Sequence, residues 1–186
     1  MNLPNVLTIS RIVLAILLVF LLEERSPVGN ILAFIVFAIA SLTDFCDGHL
    51  ARRKGLVSDF GKIMDPIADK ILLLSIFGVF AHLGIIDWWM FGIVAAREVL
   101  ITASRLSAMR QGQVLSAERA GKIKTVAQII AVLVILLFLI ASQNAFCSGW
   151  FYSVQVVWAG SIKVLMMIVV AITVYSGIDY FCHKKE

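Results

Sequence analysis

Four aspartates carry the clearest chemical signal in the sequence: Asp44, Asp47, Asp65 and Asp69. They lie in one short stretch, and strongly apolar runs precede and follow it. An ionised carboxylate beside hydrocarbon is costly unless a cation neutralises it. Salt bridges to nearby basic residues explain two of these carboxylates easily but four of them poorly. We therefore predict a cation site in this stretch.

The spacing of the aspartates would place them on two helix faces. In a helical segment Asp44, Asp47 and Gly48 share one face, and Asp65 and Asp69 share a face of the next helix. Because the connecting loop is short, we expect the two helices to be neighbours and the four carboxylates to converge. Oxygen ligands without a nearby His or Cys favour a hard cation, Mg²⁺ or Mn²⁺, over zinc.

Basic residues form a second group, in and after the fourth apolar run. Arg97 and Glu98 interrupt that run, Arg105 follows two turns later, and Lys122 precedes the fifth run. We expect Arg97, Arg105 and Lys122 to line a cavity facing the cytoplasm and to bind a phosphate or another small anion. The alternative is that Glu98 only neutralises a basic residue within the bundle. Other basic residues nearby are expected to contact lipid headgroups: Arg110, Arg119 and Lys124.

The composition predicts that these groups belong to a membrane protein. Of the 186 residues 61% are hydrophobic and 15% are charged, whereas soluble domains have about 45–50% apolar and about 25% charged residues. We predict an all-α integral membrane protein with a single domain over residues 1–186. Nothing in the sequence interleaves aromatic and basic residues as a nucleic-acid groove would, so we expect no nucleic-acid partner.

The apolar runs predict a bundle of six transmembrane helices. A short interfacial helix over residues 1–11 is expected to lead into the first span, at about 12–22. The other spans are expected at about 31–51, 65–83, 88–106, 125–141 and 152–178.

Loop charge predicts the orientation of the chain. Lys and Arg are concentrated between spans two and three, between spans four and five, and in the C-terminal tail. Such residues favour the cytoplasmic side. We therefore expect a multi-pass protein of the cell inner or plasma membrane, with both termini and the aspartate stretch in the cytoplasm.

The aspartate stretch resembles the signature of the CDP-alcohol phosphatidyltransferases. All eight signature positions match, including the eight-residue gap between the two halves: Asp44, Asp47, Gly48, Ala51, Arg52, Gly61, Asp65 and Asp69. The resemblance covers almost the whole chain. It implies transfer of a phosphatidyl group from CDP-diacylglycerol to an alcohol, with release of CMP. It also implies that the four aspartates hold two divalent metal ions and that Asp69 acts as the general base.

The same resemblance implies a nucleotide site and an assembly state. Gly48 and Arg52 would contact the CDP moiety, with the Ser58 hydroxyl near the nucleotide. An N-terminal element containing Asn5 and Thr8 is similar to a family element beside the same nucleotide. Members of the family often form homodimers, so a homodimer is expected here.

Three further stretches predict the acceptor alcohol. LPNVLTISR, AREVLITASRL and GKIKT are similar to the branch of the family that uses glycerol 3-phosphate, whose phosphate would be bound by Arg97, Arg105 and Lys122. Inositol phosphate or serine is the nearest alternative acceptor.

Two other classes of membrane protein are disfavoured. An intramembrane prenyltransferase would have its aspartate motifs far apart in sequence, whereas here they lie one loop apart. A cation transporter would distribute its acidic residues through the membrane, whereas here they cluster at one face.

Overall fold

The computed structural model of the chain describes residues 3–54, 59–111, 119–143 and 148–183, and within them it contains six α-helices and no strand. Side chains are described for residues 9–43, 67, 70–109, 111, 121–143 and 157–182. The prediction of an all-α protein is confirmed for this part of the chain. The helices are α1 (Leu3–Glu23), α2 (Pro27–Lys54), α3 (Asp59–His82), α4 (Trp88–Arg110), α5 (Arg119–Gln143) and α6 (Ser148–His183).

The turn between α1 and α2 is shorter than the loop that the sequence predicted. Pro27 begins α2, where its missing N–H is not needed, and the Ser26 hydroxyl accepts a hydrogen bond of 2.9 Å from the Gly29 N–H. A Cβ atom at Gly29 would lie 2.6 Å from the carbonyl oxygen of Leu21. Only glycine therefore allows this close approach of the two helices.

Two other helix boundaries differ from the prediction. Residues 3–11, expected as a separate interfacial helix, are the first turns of α1, which continues unbroken to Glu23. Helix α3 begins at Asp59 instead of near Asp65, so Pro66 lies inside the helix. Proline in a helix interior removes one backbone hydrogen bond. Because of this cost, the sequence favoured a helix that starts beside Pro66.

Pairs of contacting residues give the relative directions of the helices. Arg97 contacts Ser176, and one to two turns later Ser104 contacts Tyr180, so α4 and α6 run parallel. Helices α1 and α5 each pack against both α2 and α3. Within the described residues, α1 and α5 therefore each contact both α2 and α3, and α2 and α3 do not contact each other directly. The sequence predicted that α2 and α3 would be direct neighbours.

The core contains aromatic and aliphatic side chains from several helices, among them Leu18, Phe37, Phe77 and Phe80, all fully buried. Large apolar side chains also cover much of the outer surface. Among the described residues, Gly121–Gln143 and Val157–Cys182 are long and apolar enough to cross a membrane, and two shorter segments, Pro27–Thr43 and Lys70–His82, are also apolar. These features indicate association with a membrane.

Candidate active site

The predicted metal-binding aspartates lie on helical backbone at one end of the bundle. Asp44 and Asp47 belong to the C-terminal part of α2, and Asp65 and Asp69 belong to the N-terminal half of α3. Residues three or four positions apart share a helix face, so the backbone supports the predicted pairing on each helix. The four side chains lie outside the described residues, and their convergence stays a prediction.

The predicted nucleotide-binding residues are distributed over the same end. Asn5 and Thr8 lie in the first turns of α1, and Gly48 and Arg52 lie near the end of α2. The side chains of Asn5, Thr8 and Arg52 are outside the described part of the structure. Ser58 lies outside the described residues altogether. Their assignment to CDP binding stays a prediction.

A cavity of about 50 Å³ lies next to the aspartate-bearing segments. Helices α1, α2, α3 and α5 all contribute to it, and Ser41 and Lys70 are among its lining residues. Ser41 lies three positions before Asp44, and Lys70 directly follows Asp69. Although α2 and α3 do not pack directly in the described structure, both aspartate segments therefore adjoin one cavity. Its polar lining residues are Arg11, Ser41, Lys70 and Thr125.

A buried carboxylate, that of Glu98 on α4, lies at the centre of a group of basic side chains. Its Oε2 atom lies 3.2 Å from Lys70 Nζ on α3, and its Oε1 atom accepts a hydrogen bond from Lys124 Nζ on α5. Arg97 Nη1 lies 3.6 Å from Oε1, and Gln128 Nε2 donates a hydrogen bond of 3.4 Å to the same oxygen. We call these five residues the Glu98 cluster.

The centre of the Glu98 cluster is buried. The side chains of Glu98 and Lys124 are 2% and 1% exposed, and Gln128 is also buried. Among the described side chains, three cationic groups lie around the carboxylate: those of Lys70, Arg97 and Lys124. Cationic groups gathered in this way suit the binding of a phosphate or another anion.

The three residues predicted to bind phosphate have different surroundings. Arg97 donates a hydrogen bond of 2.5 Å from Nη2 to Ser176 Oγ on α6. Arg105 lies over the ring of Tyr180, with its Cζ atom 5.8 Å from the ring centroid. Lys122, in contrast, is exposed. Both arginines thus contact residues of α6, whereas Lys122 lies on an exposed face of α5.

Lys124, expected at the lipid headgroups, is instead one of the most buried side chains in the described structure. That expectation was wrong because it treated the residues around 119–124 as one polar loop, whereas α5 already begins at Arg119. A signal was present in the sequence. Lys124 and Gln128 are four positions apart and in phase with the buried residues Ala131 and Ile135, so they share the inner face of the helix.

Comparison with known proteins agrees with this architecture. Residues 1–176 match the sequence profile of the family described as CDP-alcohol phosphatidyltransferase. The chain belongs to this family. The resemblance noted in the aspartate stretch is thereby confirmed over nearly the full length of the sequence.

Several similar proteins of the family are named for their activity. The CDP-diacylglycerol–glycerol-3-phosphate 3-phosphatidyltransferase of Bacillus subtilis is 39% identical over 148 residues, which cover 73% of this chain and 77% of that protein. A probable phosphatidylglycerophosphate synthase of Mycobacterium tuberculosis is 34% identical over 182 residues, covering 96% and 79%. A protein of Rickettsia typhi with the same name as the Bacillus protein is 31% identical over 180 residues, covering 97% and 95%.

Members of this family in general use divalent metal ions, and the donor set of this chain fits such ions. Helices α2 and α3 each carry two aspartates at helical spacing, and both helices line the same cavity. Carboxylate oxygens are the ligands that Mg²⁺ and Mn²⁺ prefer. Among the described side chains, no other group of three or more His, Cys, Asp or Glu residues could hold a metal. The aspartate stretch is therefore the candidate metal centre.

Proposed function

We propose that this protein transfers the phosphatidyl group of CDP-diacylglycerol to sn-glycerol 3-phosphate, giving phosphatidylglycerophosphate and CMP. Family membership and the activities for which the relatives from Bacillus and Rickettsia are named support the reaction. The observation that carries the choice of acceptor is that relatives covering most of this chain are named for transfer to glycerol 3-phosphate. The three cationic side chains of the Glu98 cluster support this choice, because a phosphate monoester carries about two negative charges at neutral pH.

In the proposed mechanism Asp44, Asp47, Asp65 and Asp69 hold two Mg²⁺ or Mn²⁺ ions. When bound, the metals would neutralise the negative charge that develops on the phosphoryl oxygens and on the departing CMP. Asp69 also accepts the proton of the attacking hydroxyl group. The acceptor oxygen forms a bond to the phosphorus of the phosphatidyl group, while the bond from that phosphorus to the CMP oxygen breaks.

The CDP moiety would be held at the same end of the bundle. Arg52 and Gly48, near the end of α2, are assigned to the diphosphate and nucleotide, because the guanidinium group binds phosphate oxygens well and glycine leaves room for a ligand. Ser58 would lie beside the nucleotide. Asn5 and Thr8, in the first turns of α1, complete the proposed nucleotide site.

The phosphate of the acceptor would be bound by the cations of the Glu98 cluster. Arg97 and Lys124 are its inner members, and Lys70 connects it to the cavity beside the aspartates. Arg105 extends the basic surface along α4. We assign to Lys124 the role that the sequence had predicted for Lys122, because Lys122 is exposed and Lys124 contacts Glu98.

The proposed topology follows from the loop charges together with the helices. All six helices would cross the membrane, with the first turns of α1 at the interface and the aspartate end in the cytoplasm. Both termini would then be cytoplasmic, in a multi-pass protein of the inner or plasma membrane. We further propose a homodimer, as in other members of the family.

A panel of acceptors tests the proposed function. Purified protein in detergent is supplied with CDP-diacylglycerol, Mg²⁺ and glycerol 3-phosphate, inositol phosphate or serine, and CMP release is measured. We expect release with glycerol 3-phosphate, loss after chelation of the metal, and recovery when Mg²⁺ or Mn²⁺ is added back. Release only with inositol phosphate or serine would overturn the choice of acceptor.

The alternatives differ in how well they fit the basic cluster. Inositol phosphate also carries a phosphate, so the cluster would accommodate it, and the names of the relatives decide for glycerol 3-phosphate. Serine carries no phosphate for the basic side chains of the cluster to bind. A cation transporter is disfavoured because these basic side chains repel cations.

A further inference from the structure

Glu98 occupies a position that charge neutralisation alone does not explain. A single cation is enough to neutralise one carboxylate, yet Glu98 faces Lys70 of α3, Lys124 of α5 and its own neighbour Arg97. Lysine has a flexible stem with four carbon atoms, so a lysine ammonium group takes one position only when a partner holds it. Glu98 supplies that partner to two lysines from two different helices.

The Glu98 cluster also contains a buried hydrogen-bond acceptor that has no donor among the described residues. Gln128 donates its amide N–H to Glu98, while its buried Oε1 atom has no hydrogen-bond partner among the described residues. A buried polar atom of this kind costs roughly 1–3 kcal/mol unless it is satisfied. A hydroxyl group on a bound ligand could donate to this oxygen, whereas a purely structural cluster gains nothing from leaving it unpaired.

We propose that Glu98 is a positioning residue for acceptor binding. Its carboxylate fixes the ammonium groups of Lys124 and Lys70, so that both point to one place and receive the phosphate of the acceptor together. Glu98 itself does not touch the acceptor, because it has the same charge sign as the phosphate. This inference rests on the proposed function and assigns a role to a residue that lies outside the metal and nucleotide sites.

The physical consequence concerns the affinity for one substrate. Without Glu98 the neighbouring cations repel each other and adopt other conformations, so the acceptor must bring them together when it binds. That cost raises the KM for glycerol 3-phosphate. The CDP-diacylglycerol site is assigned to the ends of α1 and α2 and does not include these lysines, so its KM should not change.

A double-mutant cycle tests the proposal. Glu98→Gln, Lys124→Met and the double variant are purified, and KM is measured for each substrate. We expect Glu98→Gln to raise the KM for glycerol 3-phosphate by about tenfold or more, as expected for loss of a charge-assisted contact. The KM for CDP-diacylglycerol should stay within about twofold of that of the unmodified protein. Because Glu98 acts through Lys124, adding Glu98→Gln to Lys124→Met should raise the acceptor KM much less than it does alone.

The double variant also provides a test if the Glu98→Gln variant does not fold. Removing one partner of a buried ion pair is strongly destabilising, whereas removing both is much less so. If Glu98→Gln alone does not yield folded protein, the comparison of the double variant with Lys124→Met measures the part of the effect that Glu98 exerts through Lys70. We expect a small rise in the acceptor KM in that comparison, and an identical acceptor KM would overturn the inference. Asp87→Asn and Lys163→Met are the matched controls, since these residues form an exposed ion pair elsewhere in the structure.

Two further results would overturn the inference. One is an unchanged acceptor KM in Glu98→Gln with only a lower melting temperature, which would make Glu98 a structural residue. The other is independent, additive effects of Glu98→Gln and Lys124→Met. In either case the unmodified protein would still release CMP with glycerol 3-phosphate. Failure of the proposed function would instead appear in the unmodified protein itself.

Discussion

Polar groups connect the helices in two regions of the described structure, of which one is neutral and the other is rich in cations. Away from the aspartates, Asn30 Nδ2 donates a hydrogen bond of 2.8 Å to Gln143 Oε1, and Gln143 Nε2 donates one of 2.9 Å to the carbonyl oxygen of Arg25. This Asn30 network (Asn30, Gln143 and the Arg25 carbonyl) is neutral. It joins α2 and α5 and supports the turn at Arg25, whose φ is 53°.

The ion pairs of the two regions show the same contrast. Lys163 Nζ lies 3.3 Å from Asp87 Oδ2, with side chains 66% and 46% exposed, and one cation balances one carboxylate. In the Glu98 cluster three cations lie around one carboxylate among the described side chains, and Glu98 and Lys124 are almost fully buried. An exposed pair needs no ligand to explain it, whereas several cations gathered around a buried carboxylate suit an anionic ligand. The difference therefore separates a structural end of the bundle from a reactive one.

The largest effect is expected at the aspartate end, from Asp69→Asn. This variant keeps the shape of the side chain but cannot accept the proton of the acceptor hydroxyl, and loss of a general base lowers turnover by about 10²–10⁴-fold. Turnover is measured as CMP release, and binding of CDP-diacylglycerol is measured separately. Asp87→Asn, the same chemical change at an exposed ion pair, should leave turnover unchanged. Near-normal turnover in Asp69→Asn would remove its role as base.

The next effect compares two lysines that are two positions apart on α5. Lys124→Met removes a buried cation from the Glu98 cluster and should raise the KM for glycerol 3-phosphate by about tenfold to a hundredfold. Lys122→Met removes an exposed cation and should change that KM by less than about threefold. The acceptor KM of the two variants is the measurement. A larger effect from Lys122→Met would restore the site that the sequence predicted.

The sequence alone predicts the features that depend on local spacing. The aspartates of α2 and α3 are predicted to bind a metal because of their residue types and separations, and this assignment stays a prediction. The helical nature of the described chain followed from the apolar runs. Both kinds of inference use neighbours along the chain and need no knowledge of how the helices pack.

The Glu98 cluster could not be predicted in the same way. Lys70, Glu98 and Lys124 come from three helices, and their meeting depends on the rotation of each helix about its own axis. The rotation of α5 decides whether Lys122 or Lys124 faces the cluster, because residues two positions apart on a helix point in nearly opposite directions. The packing of α1 and α5 against both α2 and α3 in the described structure also could not be predicted, because it depends on contacts between residues far apart in the sequence.

A smaller effect is expected at the neutral end, from Asn30→Ala. Asn30 is buried, and its loss leaves the Oε1 atom of Gln143 without its donor, which should destabilise the fold by roughly 1–3 kcal/mol. The melting temperature should fall, while KM for both substrates stays unchanged. Gln143→Ala, which removes the other half of the same hydrogen bond, provides the comparison. A raised acceptor KM in Asn30→Ala would show that the two ends are not independent.

The smallest effect is expected from Lys163→Met, which breaks the exposed pair with Asp87. Such pairs contribute about 0–1 kcal/mol, because water and salt already screen both charges and the long lysine side chain loses conformational freedom in the pair. The melting temperature should change little, and less at high salt than at low salt. Lys70→Met is the matched substitution at the Glu98 cluster, where the side chain is 25% exposed and faces a buried carboxylate. Equal shifts in these two variants would mean that burial and the gathering of cations do not distinguish the two ends, and the contrast between a structural and a reactive end would fail.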